Sequence, residues 1–128
     1  KTLLAYRNKD LRLTVDGKEA FNGKAVMATM GNGRYCGGGI MFTPNADPFD
    51  GLLDCVVIGD LNVFEVLREI PKIYRGGHLA NPRIRQFRGR QMKLESRLPL
   101  YAEMDGELPG TLPMEFEIMP EALRILVP

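Results

Sequence analysis

Glycine and proline divide this chain into short segments, and that division limits the folds open to it. The 14 glycines and 9 prolines are spread along the length of the chain. Both residues favour turns, and proline interrupts helices. The pattern predicts many short strands joined by turns. We expect a mainly β fold, an antiparallel β-sandwich with one main helix.

Strand signals appear in both halves of the chain. Apolar and polar side chains alternate over residues 11–15, the period of a strand with one buried face. Asp16-Gly17 predicts a tight hairpin turn, and Asn22-Gly23 predicts a second turn. The apolar run Leu53–Gly59 predicts a central strand. Further strands are predicted at 25–30, 84–87, 91–97, 100–104, 114–118 and 123–127.

Residues 62–74 form the one segment with convincing helical periodicity. Asn62 and Glu65 make a plausible N-terminal capping pair. Pro71 predicts that the helix ends or kinks near residues 69–70. Gly76-Gly77 then closes it.

Length and composition indicate one domain with a proper apolar core. The chain has 128 residues, and 45% of them are apolar. No apolar run approaches the ~18–20 residues that span a bilayer, and no signal peptide is visible. Cys36 and Cys55 are predicted to be reduced, packed small residues of a cytosolic protein.

The net charge of +1 hides an asymmetry. Residues 72–97 are strongly basic and residues 98–128 are acidic. The basic stretch either attracts anionic lipid headgroups or is a solvated strand face. Nucleic acid is not an expected partner, because few aromatic residues interleave with the arginines.

Residues 31–54 concentrate glycines and carboxylates in one turn-rich loop. Pro48 and Gly51 force a non-helical path, so Asp47, Asp50 and the Leu52 carbonyl can converge on one point. Oxygen ligands of this kind suit Mg²⁺, and Ca²⁺ as the second choice. The alternative is an Asx-type turn in which the carboxylates accept backbone N–H groups.

Asp105-Gly106-Glu107 is the second candidate site. Asp-Gly between apolar runs first predicts a hairpin turn. Glu107, carried on such a turn, is also a plausible proton acceptor.

Asn32 and His78 are weaker candidates. Asn32 lies among glycines that either approach a ligand cleft, where it would contact substrate, or serve sheet bends and close packing. His78 is the only histidine, so a histidine-based metal cluster or triad is excluded. It is expected to form hydrogen bonds within a loop.

These motifs together resemble the diacylglycerol kinase-like lipid kinases. The residues that carry the resemblance are Asn32, Gly33, Gly37-Gly38-Gly39, Pro44-Asn45-Ala46, Asp50-Gly51-Leu52-Leu53-Asp54, residues 74–78 (YRGGH), Asp105-Gly106-Glu107 and residues 120–123 (PEAL). The resemblance covers nearly the whole chain. It implies that residues 1–128 are the C-terminal β-sandwich domain of a two-domain kinase, without the N-terminal nucleotide-binding domain.

The resemblance also implies roles for the candidate residues. Glu107 would be the general base and Asp105 would assist it. Asp47, Asp50 and the Leu52 carbonyl would hold a structural magnesium. The intact enzyme would transfer the γ-phosphoryl group of ATP to a lipid hydroxyl at a membrane surface, as a cytoplasmic, peripheral protein.

The sequence lacks both a Gly-Gly-Asp-Gly-Thr loop and a G-x-x-x-x-G-K-[ST] loop, and it begins at Lys1. We therefore expect a fragment that is inactive alone, with an exposed sheet edge open to dimerisation. One alternative is a non-catalytic module that binds anionic lipid or phosphate. Another is a relative of the NAD kinases, which the two acidic motifs favour less.

Overall fold

The computed structural model describes residues 7–123, which form a mainly β fold with one α-helix. The elements are β1 (Lys9–Val15), β2 (Lys18–Gly31), β3 (Leu53–Gly59), α1 (Val63–Ile73), β4 (Ile84–Gly89), β5 (Gln91–Ser96), β6 (Tyr101–Met104), β7 (Glu107–Thr111) and β8 (Met114–Glu117), with 3-10 turns at Gly37–Gly39 and Gly77–Ala80. The expected antiparallel β-sandwich with one main helix is confirmed.

Six strands form one antiparallel sheet in the order β4-β3-β2-β1-β5-β8, and β6 and β7 form a separate hairpin. The sheet curls on itself, because Gly89 at the end of β4 lies against Val15 at the end of β1. Asp16 fixes this closure, since its Oδ1 accepts hydrogen bonds from the backbone N–H groups of Arg90 and Gln91, each at 2.9 Å. The Asp16-Gly17 turn thus holds the corner between β4 and β5.

The two faces of β3 contribute to two different cores. Cys55 and Val57 pack with residues of β1 and β5 inside the curled sheet. Val56 and Ile58, on the opposite face, pack against the segment that contains α1. Because both faces are covered, β3 is apolar along nearly its whole length, as the sequence predicted for a central strand.

The helix begins at the predicted cap and runs past the predicted end. Asn62 Oδ1 accepts from Glu65 N at 3.1 Å, and Glu65 Oε2 accepts from Asn62 N at 2.8 Å. The expectation that Pro71 ends the helix near residues 69–70 is wrong, because α1 continues to Ile73; the alternative, a kink at that point, stays a prediction. Ile73 is buried, and its carbonyl accepts from Met41 N at 3.3 Å. Tertiary packing therefore keeps the last turn despite the hydrogen bond that proline removes.

The prediction of a second turn at Asn22-Gly23 is also wrong. Both residues lie within β2, where Asn22 pairs with Arg12 and Gly23 pairs with Leu11. The first part of β2 pairs with β1 and its last part pairs with β3. Because the ladder satisfies its backbone groups on successive partners, the strand continues without a reversal. Strand β7 follows the hairpin turn predicted at Asp105-Gly106, although it was not among the predicted strand ranges. The predicted strand at 123–127 lies almost wholly outside the described residues.

The two cysteines differ in their surroundings. Both are free thiols, as predicted, but Cys36 is exposed, so its predicted burial is wrong. Its loop is held by a backbone bridge to Ile40 rather than by apolar packing. Burial, and secondarily the charge of Asp54, raise the pKa of Cys55 to about 12. Separately, no helix within residues 7–123 is long and apolar enough to cross a membrane.

Candidate functional site

The loop between β2 and β3 is held against β3 and β4 by polar side chains. Asn45 Nδ2 donates to Gln86 Oε1 at 3.0 Å, and Gln86 Nε2 donates to Asp54 Oδ1. Thr43 Oγ1 donates to Gly33 O at 2.8 Å. The same hydroxyl would lie 2.8 Å from a Cβ at Gly31, so only glycine fits there. These contacts fix the loop that carries the predicted cation ligands.

Asp47 and Asp50 each close an Asx-type turn. Asp47 Oδ1 accepts from Phe49 N at 3.0 Å, and Asp50 Oδ1 accepts from Leu52 N at 2.9 Å. Gly51 adopts φ +70°, which turns the chain into β3. The turn alternative is therefore present in the structure, and it leaves one oxygen of each carboxylate outside the turn.

Arg88 connects Asp50 with Asp54. Its guanidinium pairs with Asp50 Oδ2, and its Nε lies 2.9 Å from Asp54 Oδ1. Asp54 is fully buried, and its Oδ2 has no hydrogen-bond partner among the described residues. No pattern in the sequence pointed to Arg88, because a basic side chain on an edge strand carries no local signal of its partners.

The chemistry of the predicted ligands suits a hard cation. Asp47, Asp50 and the Leu52 carbonyl offer only oxygen atoms, and Mg²⁺ commonly takes one or two carboxylates and completes its shell with water. Arg88 is the feature that opposes a cation, since it already neutralises Asp50. Within residues 7–123, the 47–52 loop included, no cluster of three or more His, Cys, Asp or Glu side chains could hold a metal ion.

The second candidate site is the turn of the β6–β7 hairpin. Asp105 and Gly106 adopt φ +50° and +86°, as in a tight two-residue hairpin, and Glu107 pairs with Met104 as the first residue of β7. All three residues of the motif are exposed. Its carboxylates do not join those of the 47–52 loop in a common cluster within the described chain. Within the described residues, the two predicted sites therefore do not form one metal-binding cluster.

Of the remaining candidates, Asn32 lies in the loop between β2 and β3, and His78 contacts that loop. Asn32 is exposed just after β2. His78 is fully buried, and its Nε2 lies 3.0 Å from Phe42 O. Burial lowers the pKa of His78, so the ring is neutral at neutral pH. His78 thus forms a hydrogen bond to the loop, as predicted.

The basic stretch is partly neutralised by ion pairs. Lys72 pairs with Glu69 at 2.9 Å, Arg83 pairs with Glu65, Arg88 pairs with Asp50 and Asp54, and Lys93 pairs with Glu95 at 3.1 Å. The exposed members without an ion pair among residues 7–123 are Arg75, Arg85, Arg90 and Arg97, and Arg85 lies 4.9 Å over the Phe87 ring. Several basic side chains therefore support the fold of the domain.

Replacing Arg88 by alanine should lower the free energy of unfolding by about 1–3 kcal/mol, because the buried Asp54 carboxylate loses its charged partner. Arg12→Ala is the matched control. It breaks an exposed pair with Glu19, for which a loss of at most about 1 kcal/mol is expected. Urea denaturation of both variants measures the difference, and equal losses would contradict the role given to Arg88.

Comparison with known proteins places this fold in a family. The family model "YegS C-terminal NAD kinase beta sandwich-like domain" matches residues 1–127. A diacylglycerol kinase from Mycobacterium tuberculosis is 35% identical over 127 residues, which cover 98% of this chain and 40% of that protein. A "Probable lipid kinase YegS-like" from Shewanella frigidimarina is 31% identical over 125 residues, again 98% of this chain and 40% of the relative.

Solved structures agree with the sequence matches. A candidate diacylglycerol kinase from Bacillus anthracis str. Sterne superposes with a TM-score of 0.78 at 25% identity, over 93% of this chain and 38% of that chain. The present chain thus spans about two fifths of the length of the relatives it matches. It belongs to the family of YegS C-terminal NAD kinase beta sandwich-like domains.

Proposed function

We propose that the intact protein is a lipid kinase and that this chain is its C-terminal domain. The reaction transfers the γ-phosphoryl group of ATP, with Mg²⁺ on the nucleotide, to the hydroxyl of a diacylglycerol-like lipid. The observation that carries the proposal is the match of 98% of the chain, at 35% identity, to a protein named diacylglycerol kinase. Nucleotide binding falls to the domain that precedes this one in the intact protein.

Glu107 is the proposed general base. An exposed carboxylate on a tight hairpin turn can meet a hydroxyl that approaches from outside the domain. It accepts the hydroxyl proton as the lipid oxygen bonds to the γ-phosphorus, while the bond from that phosphorus to the β–γ bridging oxygen breaks and ADP leaves. Asp105 lies in the turn itself. It assists by placing a second negative charge beside Glu107 and by accepting hydrogen bonds.

The 47–52 loop has a structural role in the proposal. Asp47, Asp50 and the Leu52 carbonyl would hold Mg²⁺, or Ca²⁺ in its place, and the bound cation would supply charge that orders the loop. Asn32 is a secondary contact to substrate. The exposed arginines of residues 72–97 would favour approach to an anionic membrane surface.

The test is phosphorylation by the intact protein. We would incubate it with γ-labelled ATP, with and without Mg²⁺, and with diacylglycerol, a sphingoid base, phosphatidylglycerol and an isoprenoid alcohol in mixed micelles. Mg²⁺-dependent label in diacylglycerol is the expected result.

Label in another of these lipids keeps the reaction class and changes the substrate. Label in none of them, by a folded protein that still binds anionic vesicles in a salt-sensitive way, would overturn the kinase proposal. That result would favour a non-catalytic lipid-binding module instead.

A further inference from the structure

The outward face of α1 carries large apolar side chains that nothing covers in the described chain. Phe64 is 79% exposed, Leu67 50%, Ile70 43% and Tyr74 53%. Their spacing of three, three and four residues places them along one side of the helix. We call Phe64, Leu67, Ile70 and Tyr74 the α1 stripe. Contiguous exposed apolar side chains on a protein surface mark interaction sites.

A cavity of about 670 Å³ lies at the N-terminal end of the α1 stripe. Val63 and Val66 line it from the helix, and Val26 and Met27 line it from β2. Leu67, Ile70 and Tyr74 follow Val63 at i+4, i+7 and i+11, so the cavity and the stripe share one face of the helix. Together they form a continuous apolar surface from β2 to the end of α1.

The chain enters the described structure at this same place. Arg7 and Asn8 line the cavity. Asn8 Nδ2 donates to Asp60 Oδ1 at 2.6 Å and to Leu61 O at 2.9 Å, which fixes the chain beside the first turn of α1. The chain that precedes Arg7 is therefore attached beside the start of the α1 stripe.

The occupant that fits is part of the same protein. The matched relatives extend well beyond the aligned region, since this chain accounts for 40% of their length. Tethering raises the effective concentration of a neighbouring segment to the millimolar range, about as high as short flexible linkers give. We propose that the polypeptide preceding this domain in the intact protein packs across the α1 stripe and fills the cavity beside β2.

A membrane surface is the competing occupant. Arg68 and Arg75 flank the stripe and would suit anionic lipid. Two neighbouring cations, Arg83 and Lys72, are already paired with Glu65 and Glu69, so Arg68 and Arg75 are the basic side chains left to attract lipid beside the stripe in the described residues. The tether and the cavity at the point of chain entry favour the intramolecular partner.

Cysteine accessibility in the intact protein tests the proposal. Leu67→Cys probes the stripe, and Arg68→Cys probes the adjacent polar side of the same helix. Each variant is treated with a maleimide, and label on the α1 peptide is followed by mass spectrometry. Leu67→Cys should react about tenfold more slowly than Arg68→Cys, because labelling then requires local opening.

Equal labelling rates in the two variants would overturn the proposal. The proposal would also be overturned if Leu67→Cys reacted slowly only in the presence of phosphatidylglycerol vesicles, since the stripe would then face lipid. Tyr74→Cys and Arg75→Cys repeat the comparison about two turns further on, should Leu67→Cys fail to fold. The readout does not depend on kinase activity, so this inference and the proposed function can fail separately.

Discussion

Glu107→Gln in the intact protein is expected to lower kcat by about 10²–10⁴-fold, the usual contribution of a general base. Glutamine keeps the size and the exposed position of the side chain but cannot accept the proton of the lipid hydroxyl. Because the side chain of Glu107 is exposed, the fold and thermal stability should stay unchanged. Steady-state kinetics at saturating ATP and lipid measure the effect.

Glu103→Gln is the matched control for this prediction. Glu103 lies on β6 of the same hairpin and is also exposed. Its replacement should leave kcat within about twofold of the wild type, because an exposed side chain away from the reacting atoms contributes little. If both variants lose activity equally, the hairpin tolerates no charge change and Glu107 has no special role. Near-normal turnover of Glu107→Gln would remove it as the base.

Gly89→Ala is expected to destabilise the fold by about 3 kcal/mol, at the upper end of the range for overpacking. A Cβ at this position would lie 2.3 Å from Val15 Cγ1 and 2.8 Å from Asp16 Oδ2. Valine is stiff at χ1 and cannot turn away easily. The clash falls where the sheet closes on itself, so β1 and β4 must separate to relieve it. Urea denaturation of the 128-residue chain measures the loss.

Two further variants show whether the clash is the cause. Gly33→Ala adds the same methyl group where no atom lies within 4 Å, at a backbone conformation open to alanine, and should change stability by less than about 0.5 kcal/mol. Val15→Ala combined with Gly89→Ala should recover part of the loss, because the methyl group removed makes room for the one added. A double variant as unstable as the sum of the single variants would argue against the contact.

Local patterns were sufficient for most of the secondary structure. The capping pair of Asn62 and Glu65 and the Asp16-Gly17 turn depend on residues close in sequence, and both formed as predicted. The errors at Asn22-Gly23 and Pro71 share one cause. At each position a local signal for a break was outweighed by partners far along the chain: the paired strands beside β2, and the packing of Ile73 at the end of α1.

In the candidate site, too, some features depend on neighbouring residues and others depend on residues far along the chain. The resemblance named Asp47, Asp50, Leu52, Asp105 and Glu107, and their roles stay predictions. The turn geometry around Asp47, Asp50 and Asp105 follows from adjacent residues and was foreseen as an alternative. The pairing of Arg88 with Asp50 was not foreseen, because it joins residues 38 positions apart.

By itself the sequence determined the fold class, the position of the helix and the tight turns, because these depend on spacing and on backbone preferences within a few residues. Only the tertiary structure decided that Gly89 meets Val15, that Arg88 joins two carboxylates, and that one side of α1 is left uncovered. Each of these depends on which distant segments the curled sheet brings into contact, and no local pattern in the chain encodes that.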